Sequence, residues 1–182
     1  MLKKFLFAIL PIFLLACNFL FPTMRQDADP SPASSEPDQP ALSTPQSLTS
    51  PAGTFVIVRV NKANGDLMAQ LATEAEKAKA LGLSPFIEFD ATWCPSCTAV
   101  AKSIKSQNPL IMQAVSGVYL IRADLDEWGW GDGENFDFNA IPIYYQLDEN
   151  GNPTGAVIDG GAWGEDIPEN FAPVLDKFFH TK

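Results

Sequence analysis

One junction constrains this chain more than any other feature. Pro85 to Phe89 is an apolar, strand-like run, and Asp90-Ala91-Thr92-Trp93-Cys94-Pro95-Ser96-Cys97 leads from it into a helix-forming stretch that extends to about Ser106. Two cysteines spaced C-x-x-C at a helix start can close a small disulfide. The unpaired N–H groups there, together with the positive end of the helix dipole, favour a thiolate on the first of them. A thiol with an ordinary pKa of about 8.5 is then lowered toward neutrality, where it is abundant yet still nucleophilic. On this logic Cys94 attacks a disulfide, and Cys97, one turn into the helix, resolves the mixed disulfide. The competing chemistry for such a pair is half of a zinc site. A zinc ribbon needs a second Cys or His pair, and the remaining candidates are Cys17, across a long linker, and His180, near the C-terminus. Redox chemistry is therefore favoured over a metal, and no cofactor is expected.

The elements around the junction alternate in type. Phe55 to Val60 reads as a β-branched strand, and Asp66 to Leu81 as a helix closed by Gly82. The helix after the cysteines is stopped by Asn108-Pro109, and Val118 to Ala123 reads as a third strand. Ile143 to Leu147 and Ala156 to Ile158 form a hairpin turned through Asn150-Gly151, and Pro168 to Phe179 a closing helix. This order predicts an α/β domain, residues 54–182, with a mixed central β-sheet flanked by helices.

The N-terminal part has a different character. Lys3 and Lys4 precede an apolar run from Phe5 to Leu15, and the stretch ends Leu14-Leu15-Ala16-Cys17. This is the layout of an export signal, residues 1–16, and its ending resembles the lipobox of bacterial lipoproteins, which implies lipidation at Cys17. An uncleaved signal anchor is the alternative, because Phe19-Leu20-Phe21 prolongs the apolar stretch. Residues 17–53 then read as a tether without fixed structure: Pro22 to Gly53 holds seven Pro, six Ser and three Thr and hardly any large apolar side chain. Either reading places the domain on the extracytoplasmic face of a bacterial membrane. The net charge of −10 argues against nucleic acid.

The run Glu88-Phe89-Asp90-Ala91-Thr92-Trp93-Cys94-Pro95-Ser96-Cys97 resembles the active-site strand and helix start of the thioredoxin superfamily. Asp124-Leu125-Asp126 is similar to the acidic end of that family's third central strand, Gly160-Gly161 to the glycine after its hairpin, and Ile141-Pro142 stands where it carries a cis-proline. Within the superfamily the sequence looks most like the C-terminal domain of transmembrane disulfide-interchange reductases and related exported thioredoxin-like proteins. The resemblance implies a thioredoxin fold and exchange with protein thiols or disulfides, with the reducing direction favoured and a membrane electron-donor protein as a candidate partner. It also implies a cis Ile141–Pro142 bond, with Trp93, Ile141 and Pro142 meeting the substrate. Glu88 takes the place of a buried acid that accepts the proton of the second cysteine, and Arg122 that of a neighbouring lysine. Strand alternation leaves open whether Glu88 is buried or faces water, since a central strand is covered on both sides. Ala140 and Ile143 depart from the Gly and Thr frequent in the family, which bears on substrate choice.

A reading from another class is a non-catalytic binding module, or a copper-delivery protein using Cys94 and Cys97 as soft ligands. It calls for a nearby His or Met, and the candidates are His180 and Met112. Asp124 to Asp137 holds six acids and no base around Trp128-Gly129-Trp130. It starts like a calcium loop but has Trp128 at the fifth position and Asn135 at the twelfth, so calcium is not expected. The segment is either a solvated loop or a docking lip in which both tryptophans face a partner.

Overall fold

Strand β3 (Ser84–Asp90) is buried from Phe86 to Asp90, and its apolar side chains alternate between two cores. Ile87 and Phe89 join one, and Phe86 the other. That is the signature of a central strand covered on both faces. The structure, a computed structural model, describes residues 46–50 and 53–181. The expected signal, Cys17 and most of the tether lie outside the described residues.

Around β3 the sheet is built from β1 (Gln46–Ser50), β2 (Gly53–Val60), β4 (Val118–Asp124), β5 (Ile143–Leu147) and β6 (Pro153–Asp159), in the order β1-β2-β4-β3-β5-β6. Strands β2 and β3 run parallel to β4, and the other pairs are antiparallel. Helix α1 (Leu67–Ala80) covers one face through Leu71 and Ala78. Helices α2 (Pro95–Lys105), α3 (Pro109–Ala114) and α5 (Pro168–His180) cover the other through Val100, Ile104, Ile111, Phe171 and Leu175. A short helix, α4 (Leu125–Trp128), follows β4.

Local chemistry sets the element ends. Asp66 caps α1 by accepting the Ala69 N–H at 3.0 Å. Gly82, at φ +69°, ends that helix while the Leu83 N–H returns to the Ala78 carbonyl at 2.9 Å. In the β5–β6 turn, Asp148 accepts the N–H groups of Asn150 and Asn152. Gly151 is required there twice over: its φ is +82°, and a Cβ would stand 2.5 Å from the Leu71 carbonyl carbon of α1.

Three elements differ from the sequence reading. Asn108-Pro109 starts α3, since Asn108 Oδ1 accepts the Leu110 N–H at 3.0 Å and a proline at the first helical position sacrifices no hydrogen bond. Helix α2 ends earlier, at Lys105, where Gln107 turns left-handed at φ +54° and the Asn108 N–H returns to the Ser103 carbonyl at 3.0 Å. Asp124 likewise caps α4 through the Asp126 N–H. Strand β1 and the first residue of β2 fall inside the segment whose composition reads as tether. An edge strand pairs on one side only, so its sequence need not be apolar.

Candidate active site

Residues at the carboxyl ends of the parallel strands form the site. Cys94 occupies the N-cap of α2 in extended backbone conformation, and its Sγ accepts the Cys97 N–H at 3.1 Å. Pro95 follows at the first helical position, where its missing N–H costs nothing. Cys94 and Cys97 are joined by a disulfide with an S–S distance of 2.08 Å, and both are buried.

Three contacts frame the pair. The Ile141–Pro142 peptide is cis, as the resemblance implied, and the Ile141 carbonyl oxygen stands 3.7 Å from Cys94 Sγ. Gly160 makes room for this proline, since a Cβ there would lie 3.0 Å from Pro142 Cδ. Trp93 is 57% exposed, and its indole N–H donates to both carboxylate oxygens of Asp126 at 3.1 Å. Ser96 Oγ donates to Asp166 at 2.7 Å, and the same carboxylate accepts the Trp163 indole N–H at 3.1 Å. The Ser96–Asp166 contact spans 70 positions, and nothing in the sequence announces it.

Behind the cysteines a polar row crosses four strands. Arg59 on β2, Arg122 on β4, Glu88 on β3 and Tyr144 on β5 are neighbours in register. Alternation puts all four on the face that carries α2 and α5, with Phe86 and Tyr144 in that core. Glu88 is fully buried; it accepts Arg122 Nε at 2.6 Å and the Tyr144 hydroxyl at 2.8 Å. The expected Arg122–Glu88 pair is thus present. Burial pushes the Glu88 carboxyl above the ordinary range; the positive charge of Arg122 opposes this, and the negative charge of Asp90 adds to it. Asp90, two residues on, is held by both terminal nitrogens of Arg59 at 2.8 and 2.6 Å, a bidentate pair the sequence reading did not include. Arg122, the partner of Glu88, lines one cavity with Cys97, while Glu88 itself lies beneath it, fully buried.

The acidic loop divides its aromatics. Phe136 and Phe138 pack on Phe89, with ring centroids at 5.1 and 4.6 Å. Trp128 packs partly buried against the same core, while Trp130 is 50% exposed and leans on Phe138. A lip made of both tryptophans is therefore not assembled: Trp128 faces inward because the α1 side of the sheet needs apolar cover there. Asp124 and Asp126 serve as a helix cap and as the acceptor for Trp93. The copper candidates are also placed elsewhere. His180 Nε2 contacts the Ser116 carbonyl at 2.9 Å, beside the start of β4, and Met112 is buried in the core on the α5 side.

No family model matches the sequence, and no curated protein matches it. Solved structures similar to it include thioredoxin from Trichomonas vaginalis, 21% identical over 67% of this chain and 96% of that one, with a TM-score of 0.42. Thioredoxin O1 of Arabidopsis thaliana in its oxidised state is 20% identical over 57% and 85%, with a TM-score of 0.36. The Schistosoma mansoni thioredoxin pre-protein is 16% identical over 67% and 97%, with a TM-score of 0.40. The fold is the thioredoxin fold: β2, β4, β3, β5 and β6 in that order, helices on both faces, and the C-x-x-C helix start beside a cis-proline.

The buried pair makes an asymmetric prediction. Glu88→Ala leaves a guanidinium that cannot lose its charge, and is expected to cost about 3–5 kcal/mol of stability. Arg122→Ala is expected to cost less, because Glu88 can take a proton. A carboxyl with a raised folded pKa contributes stability that is full below the ordinary Glu value and is lost as pH rises through the raised one. Arg122→Ala should move that loss to higher pH, as read by urea unfolding across a pH series. Equal costs with an unmoved pH profile would contradict the assignment.

Proposed function

We propose that this chain is a thiol–disulfide oxidoreductase acting on protein substrates, held at the extracytoplasmic face of a membrane by a lipid on Cys17. The observation that carries the reading is the Cys94–Cys97 pair at the start of α2, with the Cys97 N–H on Cys94 Sγ. An N–H aimed at a sulfur stabilises its thiolate and so prepares Cys94 to attack.

In the reducing direction, the Cys94 thiolate bonds to one sulfur of the substrate disulfide and expels the other as a thiolate. Cys97 then gives up its proton and bonds to Cys94 Sγ, releasing the second substrate thiolate. The protein loses two electrons and the substrate gains them. Glu88 in its carboxylate form, made a stronger base by burial, is the acceptor for the Cys97 proton, and its partner Arg122 lines the cavity that reaches Cys97. The backbone of Ile141 and Pro142, together with exposed Trp93, offers an extended substrate segment a place beside the disulfide. This direction requires an electron donor that reduces Cys94–Cys97 after each turnover, and a membrane protein is the donor we propose.

Insulin reduction in the presence of a small dithiol tests the chemistry. Cys94→Ser should fall to the uncatalysed rate, and Cys97→Ser should accumulate a mixed disulfide at Cys94; turnover by Cys94→Ser would end the reading. The tether is tested separately. Labelled palmitate should enter the full chain in a bacterial host and be lost in Cys17→Ala, and equal labelling of both would exclude the anchor.

A further inference from the structure

This inference deepens the disulfide-exchange reading and rests on it. A cavity of about 300 Å³ opens between α2 and the carboxyl ends of β2, β3 and β4. Its wall carries Arg59, Arg122, Lys102 and Lys105 against one acid, Asp90, and it reaches Cys97. Residues 54–182 hold 9 basic and 18 acidic side chains. Nearly half of the domain's cations therefore gather at one cavity of an acidic protein.

The partners of these cations can be accounted for. Arg59 is committed to Asp90 by two hydrogen bonds. Arg122 gives Nε to Glu88, but its Nη2 is buried without an acceptor, and interiors normally satisfy such donors. Lys102 and Lys105 are exposed and make no ion pair among the described residues, although acids outnumber bases two to one. The arrangement lies outside the carboxyl ends of parallel strands, where open α/β sheets bind ligands. Lys102 is five residues from Cys97, about 7.5 Å along the helix, a gap that a flexible lysine chain spans.

We propose that this cavity binds the carboxylate of an acidic disulfide while the disulfide sulfur reacts at Cys94. The carboxylate itself undergoes no change. Lys102 and Lys105 hold it, within the positive field of Arg59 and Arg122, and raise the local concentration of acidic substrates, while bond making and electron transfer follow the two exchange steps already described. Steering by net charge alone gives the opposite preference, because the chain carries −10.

The test uses the reduced full chain in a non-ionic detergent at low salt. Its rates are measured with 3,3′-dithiodipropionate (dianion), bis(2-hydroxyethyl) disulfide (neutral) and cystamine (dication), each divided by the rate of the same disulfide with mercaptoethanol. The expected result is a dianion-to-neutral ratio of about 10 or more that collapses in K102E/K105E and falls with added salt. A ranking of dication, neutral, dianion, or a ratio unchanged in K102E/K105E, overturns the proposal. Disulfide peptides with Asp or Lys beside the cysteines identify the source: an Asp preference points to a protein segment, and a preference confined to dithiodipropionate points to a small molecule. If no disulfide reacts, the exchange reading fails, and adipate binding to the oxidised chain decides the site alone. Adipate-dependent shifts of the Thr98 and Ala101 amides that vanish in K102E/K105E uphold it, and their absence removes it.

Discussion

The ion pair between Glu88 and Arg122 is the constraint around which the site is arranged. Both side chains project from the middle of the sheet into the face covered by α2 and α5, where an unpaired charge is costly. The pair is tolerable because its geometry is complete on the carboxylate side: Arg122 Nε takes one oxygen and the Tyr144 hydroxyl the other. That requirement fixes three strands in register and leaves Arg122 Nη2 without an acceptor, while Arg122 also lines the neighbouring cavity. The same burial that taxes stability raises the Glu88 carboxyl toward a range in which it can move a proton.

The two faces of the sheet support the disulfide differently. On one, α2 is anchored by Val100 and Ile104 and sets Cys94 at its first turn. On the other, Phe89, Phe136, Phe138 and Tyr145 form an aromatic cluster that seats the loop leading to Pro142. Phe89 is next to Glu88 in sequence and points the opposite way, so one strand positions both the acid behind the cysteines and the segment that carries the cis-proline in front of them. Asp126 and Asp166 then fix the rim, one through Trp93 and the other through Ser96 and Trp163.

Much of this was legible in the residues because it is local. A strand feeding a C-x-x-C helix start, a capped and glycine-closed α1 and an Asn-Gly hairpin each depend on a few consecutive positions. The cis Ile141–Pro142 bond and the Arg122–Glu88 pair were readable only by resemblance, since no local rule selects them. The face occupied by Glu88 was not readable, because apolar neighbours on both sides erase the alternation signal that would reveal it. Helix α3 was hidden because Asn-Pro reads as a stop as readily as a start. Trp128 looked like a partner for docking because sequence cannot tell an acidic loop with aromatic anchors from one that displays them. Contacts such as Ser96 with Asp166 and Arg59 with Asp90 join distant positions and leave no pattern along the chain.

The proposed chemistry turns on Cys94 as the nucleophile, activated by the first turn of α2. The most direct measurement is the pH dependence of iodoacetamide alkylation of Cys94 in the reduced chain, with Cys94→Ser as the blank. The midpoint is expected below the value of about 8.5 for a free thiol, displaced toward neutrality. A midpoint at or above 8.5 would mean that the helix start does not stabilise the thiolate, and would contradict it.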